Sequence, residues 1–153
     1  SQLLEESTPL PRPTSWFGLV LGLEEAVKAE NVVAAAIGGE ANLYCNSMLM
    51  MHVLQVTWQK RNGSSFENIA AYSQNHGPRL IGSFQKKAWF TRAALKASAN
   101  TVQNLTSEDE SYYRCIFSVF PHGSFSKDIC LNVQNNSIPS VCVVHNCNTF
   151  PQR

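Results

Sequence analysis

The sequence Asp-Glu-Ser-Tyr-Tyr-Arg-Cys at residues Asp109–Cys115 places the strongest structural demand on this chain. It has the form Asp-x-Ser-x-Tyr-x-Cys, in which Cys115 ends an alternating run and Tyr113 stands two residues before it. This pattern is typical of a buried strand whose tyrosine hydroxyl closes the corner before the strand. A strand of this kind needs a second cysteine and a core tryptophan upstream, and Cys45 and Trp58 supply them.

Cys45 and Trp58 both stand in segments with the period of two that strands show. Ala41, Leu43 and Cys45 alternate with more polar neighbours, and Trp58 follows within Val-Thr-Trp-Gln. The order Cys, Trp, Tyr-x-Cys is the spacing of an immunoglobulin sandwich. We therefore predict an all-β sandwich of two antiparallel sheets, joined by a disulfide between Cys45 and Cys115.

Length, charge and cysteine content limit the class of protein. The 153 residues accommodate one sandwich of about 100 residues with tails. The 12 basic and 11 acidic side chains offer no electrostatic footprint for nucleic acid or an anionic membrane. Five cysteines and three glycosylation sequons, at Asn62, Asn104 and Asn135, favour an oxidising, secretory route. We expect an extracellular glycoprotein, secreted or the ectodomain of a cell-surface protein.

The chain divides into a central domain and two flanking segments. Residues 1–24 contain three prolines and the apolar run Trp16–Leu23, whose eight residues are too few to span a bilayer. This segment is a leader remnant or a disordered extension, and both alternatives stay open. Residues 25–133 form the predicted domain, and residues 134–153 form a cysteine-containing tail. We expect no membrane span in the chain.

The long interval between Cys45 and Cys115 requires additional strands, which indicates a variable-type domain. Strand E is the weakest element, because its inward register offers Asn100, Val102 and Leu105. A buried amide without partners costs about 1–3 kcal/mol, so we expect Asn100 to bond the backbone or the strand to bulge there. The other predicted strands are 26–36 (A), 40–47 (B), 54–60 (C), 69–73 (C′), 76–84 (C″), 86–91 (D), 111–119 (F) and 124–133 (G).

Three cysteines remain beyond the predicted disulfide. Cys130 lies on strand G, whereas Cys142 and Cys147 lie in the tail, so pairing any two leaves one thiol free or intermolecular. The segment from Cys142 to Cys147 also contains His145, but two cysteines and one histidine make an incomplete zinc site. We expect neither a metal nor a cofactor.

Several runs of residues resemble one family closely. The amino-terminal variable-type domain of the OX-2 membrane glycoprotein family is similar to this chain from about residue 25 to residue 133. The likeness rests on the sequences Val-Thr-Trp-Gln-Lys at 56–60, Glu-Asn-Ile at 67–69, Ser-Gln-Asn-His-Gly at 73–77, Asn-Leu-Thr-Ser-Glu-Asp-Glu at 104–110, Ser-Val-Phe-Pro-His-Gly at 118–123 and Cys-Leu-Asn-Val at 130–133.

The chain departs from the family pattern at three points. The resemblance places a family cysteine where this chain has Tyr112, and that cysteine pairs with the strand-G cysteine matched by Cys130. We therefore expect Cys130 to be free or bonded to Cys142 or Cys147. Asn100 replaces an apolar residue of strand E. The family's second domain, membrane span and cytoplasmic end do not follow residue 133, so we predict a truncated, soluble paralogue.

The resemblance implies a receptor ligand. Family members bind an inhibitory immunoglobulin-superfamily receptor on myeloid cells, the OX-2 receptor, through the G-F-C-C′ sheet, and we expect a monomer that modulates immune activation. A soluble decoy, or an adhesion domain with another immunoglobulin-superfamily partner, is the alternative. Lys87 is expected to pair with Asp109 as a structural ion pair. The candidate receptor-binding residues are Thr57, Gln59, Tyr72, Arg114, Ile116, Ser118, Phe120 and His122.

An enzyme is the competing class, and the sequence argues against it. We find no glycine-rich phosphate loop, no nucleophile elbow and no paired Cys-x-x-Cys in the chain. Glu108, Asp109 and Glu110 are adjacent carboxylates, but the middle one is assigned to the tyrosine corner. We therefore predict a recognition domain without catalytic residues.

Overall fold

A computed structural model describes residues 26–135 as strands with one short helix and one 3-10 turn. Alternation of apolar and polar residues produces strands whose two faces differ, as in β3, where every second residue is buried. The elements in chain order are β1 Val27–Ala29, β2 Val32–Ala36, β3 Ala41–Ser47, β4 Val53–Asn62, β5 Ser65–Ser73, β6 Gly77–Leu80, α1 Phe84–Lys87, β7 Ala88–Ala93, β8 Ala97–Val102, the 3-10 turn Ser107–Asp109, β9 Ser111–Val119 and β10 Ser124–Gln134.

The strands form two sheets that pack face to face. The back sheet has the order β1-β3-β8-β7, and the front sheet has the order β2-β10-β9-β4-β5-β6. Strands β5 and β6 add the C′–C″ ribbon to the front sheet, which distinguishes a variable-type domain from the shorter constant type. The predicted variable-type immunoglobulin sandwich is confirmed.

The disulfide and the tryptophan lie where the sequence pattern predicts. Cys45 on β3 is bonded to Cys115 on β9, which joins the two sheets through the core. Trp58 is fully buried beside them, and its indole nitrogen donates a 2.9 Å hydrogen bond to the Ser98 hydroxyl. The bond satisfies the one polar atom of the indole, so the large ring is buried without leaving an unpaired donor.

The first predicted strand is divided between the two sheets. Residues 26–36 were expected to form one edge strand, but β1 pairs antiparallel with β3 and β2 pairs parallel with β10. The chain crosses at Glu30 and Asn31, where the Asn31 carbonyl oxygen accepts a 2.8 Å bond from the Cys130 amide. A single segment therefore supplies an edge strand to each sheet, and both edge strands are short, with 3 and 5 residues.

The interval after β5 also differs from the prediction. Two strands were expected at 76–84 and 86–91, whereas β6 ends at Leu80 and α1 occupies Phe84–Lys87. Gly82 has a φ of +61°, a left-handed conformation that favours glycine, and it turns the chain out of β6. Phe84 is then buried in the core at the start of α1. Burial of this ring at one end of the sandwich explains why the chain leaves the sheet.

The corner between β8 and β9 is closed by polar side chains. The Tyr113 hydroxyl donates a 2.6 Å bond to the Asp109 carbonyl oxygen, as the sequence pattern predicts. The Asp109 carboxylate lies 2.9 Å from the Lys87 ammonium and accepts a 2.8 Å bond from the Thr106 amide. The predicted ion pair between Lys87 and Asp109 is confirmed. Burial raises the pKa of Tyr113, with the nearby Asp109 charge acting in the same direction.

Asn100 is buried in β8 between Leu43 of β3 and Phe90 of β7. Neither atom of its side-chain amide has a hydrogen-bond partner within residues 26–135, so the expected bond to the backbone is absent there. The alternative expectation, a bulge of this strand, is wrong as well, because β8 pairs with β3 without a register shift and the extra residue lies in β7, between Phe90 and Arg92. The bulge changes the pairing of β7 and does not supply a partner for the amide.

Cys130 lies opposite Tyr112 in the register of β10 and β9. It is disulfide-bonded, and Cys45 and Cys115 are excluded as partners because they bond each other. The two remaining cysteines, Cys142 and Cys147, lie outside the described residues, as does the predicted leader segment at 1–24. We expect a non-reducing peptide map to recover Cys130 linked to one of these two cysteines; recovery as an alkylated free thiol would contradict the tail linkage.

Candidate functional site

The outward side of the front sheet is built from cross-strand rows of side chains. Directly paired residues of antiparallel strands project to the same side of a sheet, so the register assigns each residue to a row. We call this surface the front face. Its upper row is Ser73, Gln55, Ser118 and Ser124, its middle row is Ala71, Thr57, Ile116 and Ser126, and its lower row is Asn68, Gln59, Arg114 and Asp128.

The middle row is small and apolar. Ile116 of β9 is half-buried and is flanked by Thr57 on β4 and Ser126 on β10. Ala71 on β5 continues the row beyond Thr57. Because its neighbours are short, Ile116 is the largest side chain of this row. The middle row thus offers an apolar centre that another protein surface can cover.

The lower row is polar and internally bonded. The Arg114 guanidinium donates two hydrogen bonds to the Asp128 carboxylate, at 2.7 and 3.2 Å. The same guanidinium lies 3.9 Å from the centroid of the Phe66 ring. The Gln59 amide donates a 3.0 Å bond to the Asn68 side-chain oxygen. Arg114 is therefore held on two sides, by an opposite charge and by an aromatic face.

A basic and an aromatic residue lie below the lower row. The Arg61 guanidinium lies 5.6 Å from the centroid of the Tyr112 ring. Burial raises the pKa of the Tyr112 hydroxyl, an effect that the Arg61 charge opposes and the Asp128 charge reinforces. The guanidinium and the ring thus form a cation–π contact at this end of the front face.

Tyr72 does not belong to the front face. The register pairs it with Val56, whose side chain is fully buried on the core side of β4, whereas the front-face residue Thr57 pairs with Ala71. Tyr72 consequently projects to the core-facing side of β5, where it stays half-exposed. Its expected outward orientation is corrected, because alternation along β5 places Ala71 and Ser73 outward instead.

The other seven predicted receptor-binding residues lie on the front face or in the loop beside it. Thr57, Gln59, Arg114, Ile116 and Ser118 all project from it. Phe120 and His122 are exposed in the F–G loop, which a 3.0 Å bond from the Val119 amide to the Gly123 carbonyl oxygen closes. Seven of the eight predicted residues therefore share the front sheet's outer side or the loop at its end.

The B–C loop carries exposed apolar residues that the sequence-based prediction missed. Met48, Met50 and Met51 are 51%, 95% and 42% exposed, and Leu54 at the start of β4 is 43% exposed. The Phe120 amide donates a 2.9 Å bond to the His52 carbonyl oxygen, which places the B–C loop next to the F–G loop. The signal for this surface was the absence of charged residues between Ser47 and Gln59.

A groove of about 830 Å³ lies at the other end of β4. Lys60, Arg61, Glu67, Glu108 and Glu110 are among its lining residues. Lys60 donates a 2.9 Å bond to the Glu108 carbonyl oxygen, and Glu110 accepts a 2.9 Å bond from the Val133 amide. These groups therefore hold neighbouring strands together. Within residues 26–135, no group of three or more His, Cys, Asp or Glu side chains could hold a metal ion.

The three sequon asparagines, Asn62, Asn104 and Asn135, are exposed, as attachment of a glycan requires. No helix in the part of the chain that the structure describes is long and apolar enough to cross a membrane.

Comparison with known proteins identifies clear relatives. The OX-2 membrane glycoprotein of Homo sapiens is 37% identical over 101 residues, which are 66% of this chain and 36% of that protein. The OX-2 membrane glycoprotein homolog of Human herpesvirus 8 is 34% identical over 101 residues, 66% of this chain and 37% of that protein. The chain spans about a third of the length of these curated relatives.

The likeness to solved structures concerns the fold. Murine CRIg superposes with a TM-score of 0.60 at 16% sequence identity, over 71% of this chain and 97% of that chain. No protein-family model matches the chain.

Proposed function

Because the immunoglobulin domain of this chain belongs to the OX-2 membrane glycoprotein family, we propose that it is a receptor ligand. Its partner in this proposal is an inhibitory immunoglobulin-superfamily receptor on myeloid cells, the OX-2 receptor. The front face is the docking surface, and the outcome of docking is a change in immune activation.

The composition of the front face is the observation that carries the proposal. Binding energy at protein interfaces concentrates in a few apolar, aromatic or arginine side chains that polar groups surround. Ile116 supplies an apolar centre, Arg114 is fixed next to it, and the upper and lower rows are polar. A sheet face of this kind fits a contact of about 800 Å² per partner, the size of a specific but modest interface.

The location in this proposal is extracellular. The disulfide between Cys45 and Cys115 is stable in an oxidising compartment, and the exposed sequon asparagines are open to the glycosylation machinery. Both features fit a domain displayed to other cells.

The test is direct binding of the purified chain to the OX-2 receptor ectodomain by surface plasmon resonance. Ile116→Arg places a long charged side chain in the middle row and is expected to abolish the response. Tyr44→Arg is the matched control, because Tyr44 is 42% exposed on the outer side of the back sheet. Absence of a wild-type response at high micromolar concentration would refute the proposal, as would equal effects of the two substitutions.

Signalling requires a separate measurement, because docking alone does not distinguish an activating ligand from a decoy. A reporter cell line that carries the receptor is treated with the purified chain, with and without Ile116→Arg. We expect a reporter response that Ile116→Arg removes. Receptor occupancy without a response would instead identify a decoy.

A further inference from the structure

The B–C and F–G loops present an exposed apolar surface that the front face does not include. We call it the tip and define it by Met48, Met50, Met51, Leu54 and Phe120, which are 42–95% exposed. Single exposed apolar residues are ordinary on protein surfaces, but several large ones together mark an interaction site. We therefore expect a binding partner to cover the tip.

The backbone of the B–C loop is fixed, so the exposure of its methionines is a property of the fold. Leu49 is buried in the core between the exposed Met48 and Met50. The Lys96 ammonium donates a 2.7 Å bond to the Leu49 carbonyl oxygen, and the Met48 amide donates a 2.7 Å bond to the Ala26 carbonyl oxygen. These contacts hold the loop in a conformation in which the methionine thioethers are exposed to solvent.

The tip is uncharged. Neither Ser47–Gln59 nor Val119–Ser126 contains Asp, Glu, Lys or Arg, although 15% of the chain's residues are charged. The exposed Lys96 lies next to the tip and its ammonium is bonded to the Leu49 carbonyl oxygen, whereas a protein that docks on an anionic membrane combines apolar residues with a cluster of lysines or arginines. The complementary surface is consequently an apolar, uncharged recess of a protein.

The tip is continuous with the front face. Leu54 is the extra residue where the register of β4 and β9 shifts between Val53 and Gln55. Gln55 then pairs with Ser118 in the upper row, and Phe120 follows two residues after Ser118. One partner that covers the upper row therefore also reaches Leu54 and Phe120.

We propose that the tip inserts its methionines into an apolar recess of the receptor that binds the front face, and that it adds to the affinity of that contact. This inference rests on the proposed function. Methionine suits the role because its unbranched, polarizable side chain adapts to irregular apolar surfaces. The front face then supplies the central contact, and the tip extends that contact at the end formed by the B–C and F–G loops.

The experiment compares Met50→Gln/Met51→Gln with the matched double variant Tyr44→Gln/Trp89→Gln on the back sheet, where the exposed fractions are 42% and 38%. Binding to the OX-2 receptor ectodomain is measured by surface plasmon resonance, with thermal unfolding as a check on folding. We expect the tip variant to bind about tenfold more weakly or worse, since two buried apolar side chains are lost. The back-sheet variant is expected to bind like the wild type.

The possible outcomes separate this inference from the proposed function. If Ile116→Arg abolishes binding and the tip variant binds like the wild type, the tip proposal falls and the front-face proposal stands. If the wild type does not bind, both fall. Sedimentation equilibrium and flotation with phosphatidylcholine vesicles test the other occupants. Self-association or vesicle binding that the tip variant loses, with receptor binding unchanged, would also overturn the inference.

Oxidation provides a second readout, because the three methionines of the tip are the only ones in the chain. Hydrogen peroxide transfers one oxygen atom to the thioether: the O–O bond breaks, an S–O bond forms, the sulfur is oxidised to the sulfoxide and water leaves. We expect mild peroxide treatment to weaken receptor binding of the wild type and not that of Met48→Gln/Met50→Gln/Met51→Gln. Unchanged binding of the fully oxidised wild type would overturn the proposal.

Discussion

The corner between β8 and β9 and the strand β8 itself are adjacent in the chain, and both bury polar side chains. In the corner, the Asp109 carboxylate has the Lys87 ammonium and the Thr106 amide as partners, and the Tyr113 hydroxyl bonds a carbonyl oxygen. In β8, Asn100 is only 3% exposed, and its side-chain amide has no hydrogen-bond partner within residues 26–135.

The difference shows that burial of a polar group is not by itself stabilising or destabilising. A buried group with good partners closes a corner and fixes the entry of the next strand, whereas an unsatisfied group carries its full desolvation cost. The corner and Asn100 should therefore respond to mutation with opposite signs.

Removal of the Asp109 carboxylate is expected to have the largest effect. Asp109→Ala leaves the Lys87 ammonium without its anion and the Thr106 amide without its acceptor, and should lower the free energy of unfolding by about 2–4 kcal/mol. Urea denaturation measures the loss. Glu108→Ala is the control, since Glu108 is exposed on the same turn and should change stability by less than about 0.5 kcal/mol. Equal losses in the two variants would contradict the assignment of the corner.

Tyr113→Phe tests the second corner interaction and should cost about 1–2 kcal/mol at neutral pH. Burial raises the pKa of Tyr113, so above pH of about 10 the unfolded chain has lost the proton that the folded chain retains. Stability contributed by this group is therefore complete below that pH and falls as the pH rises. We expect the wild type to lose more stability than Tyr113→Phe between pH 8 and pH 11. Parallel pH dependences in urea titrations would show that the hydroxyl is not buried in this way.

Substitution of Asn100 is expected to have the smallest effect, and in the opposite direction. Asn100→Val replaces an unsatisfied amide with a β-branched apolar residue that suits a strand, and should raise the free energy of unfolding by about 1 kcal/mol. Asn42→Val is the matched control on β3, where the Asn42 amide donates to the Thr91 and Thr101 hydroxyls at 2.8 and 2.9 Å. The control should be neutral or destabilising, and a destabilising Asn100→Val would remove the contrast with the corner.

The sequence was sufficient for the parts of the fold that side-chain chemistry dictates directly. Cys45, Trp58, Tyr113 and Cys115 each have one environment that satisfies them, and together they define the two sheets, the corner and the disulfide. The ion pair between Lys87 and Asp109 was predicted from the resemblance to the family, and the structure contains it.

The parts that could not be predicted depend on register and exposure. The division of residues 26–36 between two sheets depends on which sheet edges remain open after the other strands have paired. The local sequence pattern of this segment does not indicate these edges. Tyr72 was placed on the wrong side of its strand because the side of a partly exposed strand follows from the register with β4. The methionines of the B–C loop were missed because a loop's exposed residues are set by which one, here Leu49, is drawn into the core.

For the proposed receptor contact, the bonds that hold Arg114 have a consequence for partner choice. Its guanidinium is already paired with the Asp128 carboxylate and stacked on the Phe66 ring. Binding of a partner therefore costs little further side-chain entropy at Arg114, and the charge of Arg114 is already neutralised. An acidic partner gains little from approaching it, because such a partner must first compete with a carboxylate of the same molecule. Selection among partners at Arg114 therefore depends on shape complementarity. A neutral surface that fits closely is preferred over an anionic surface that fits poorly.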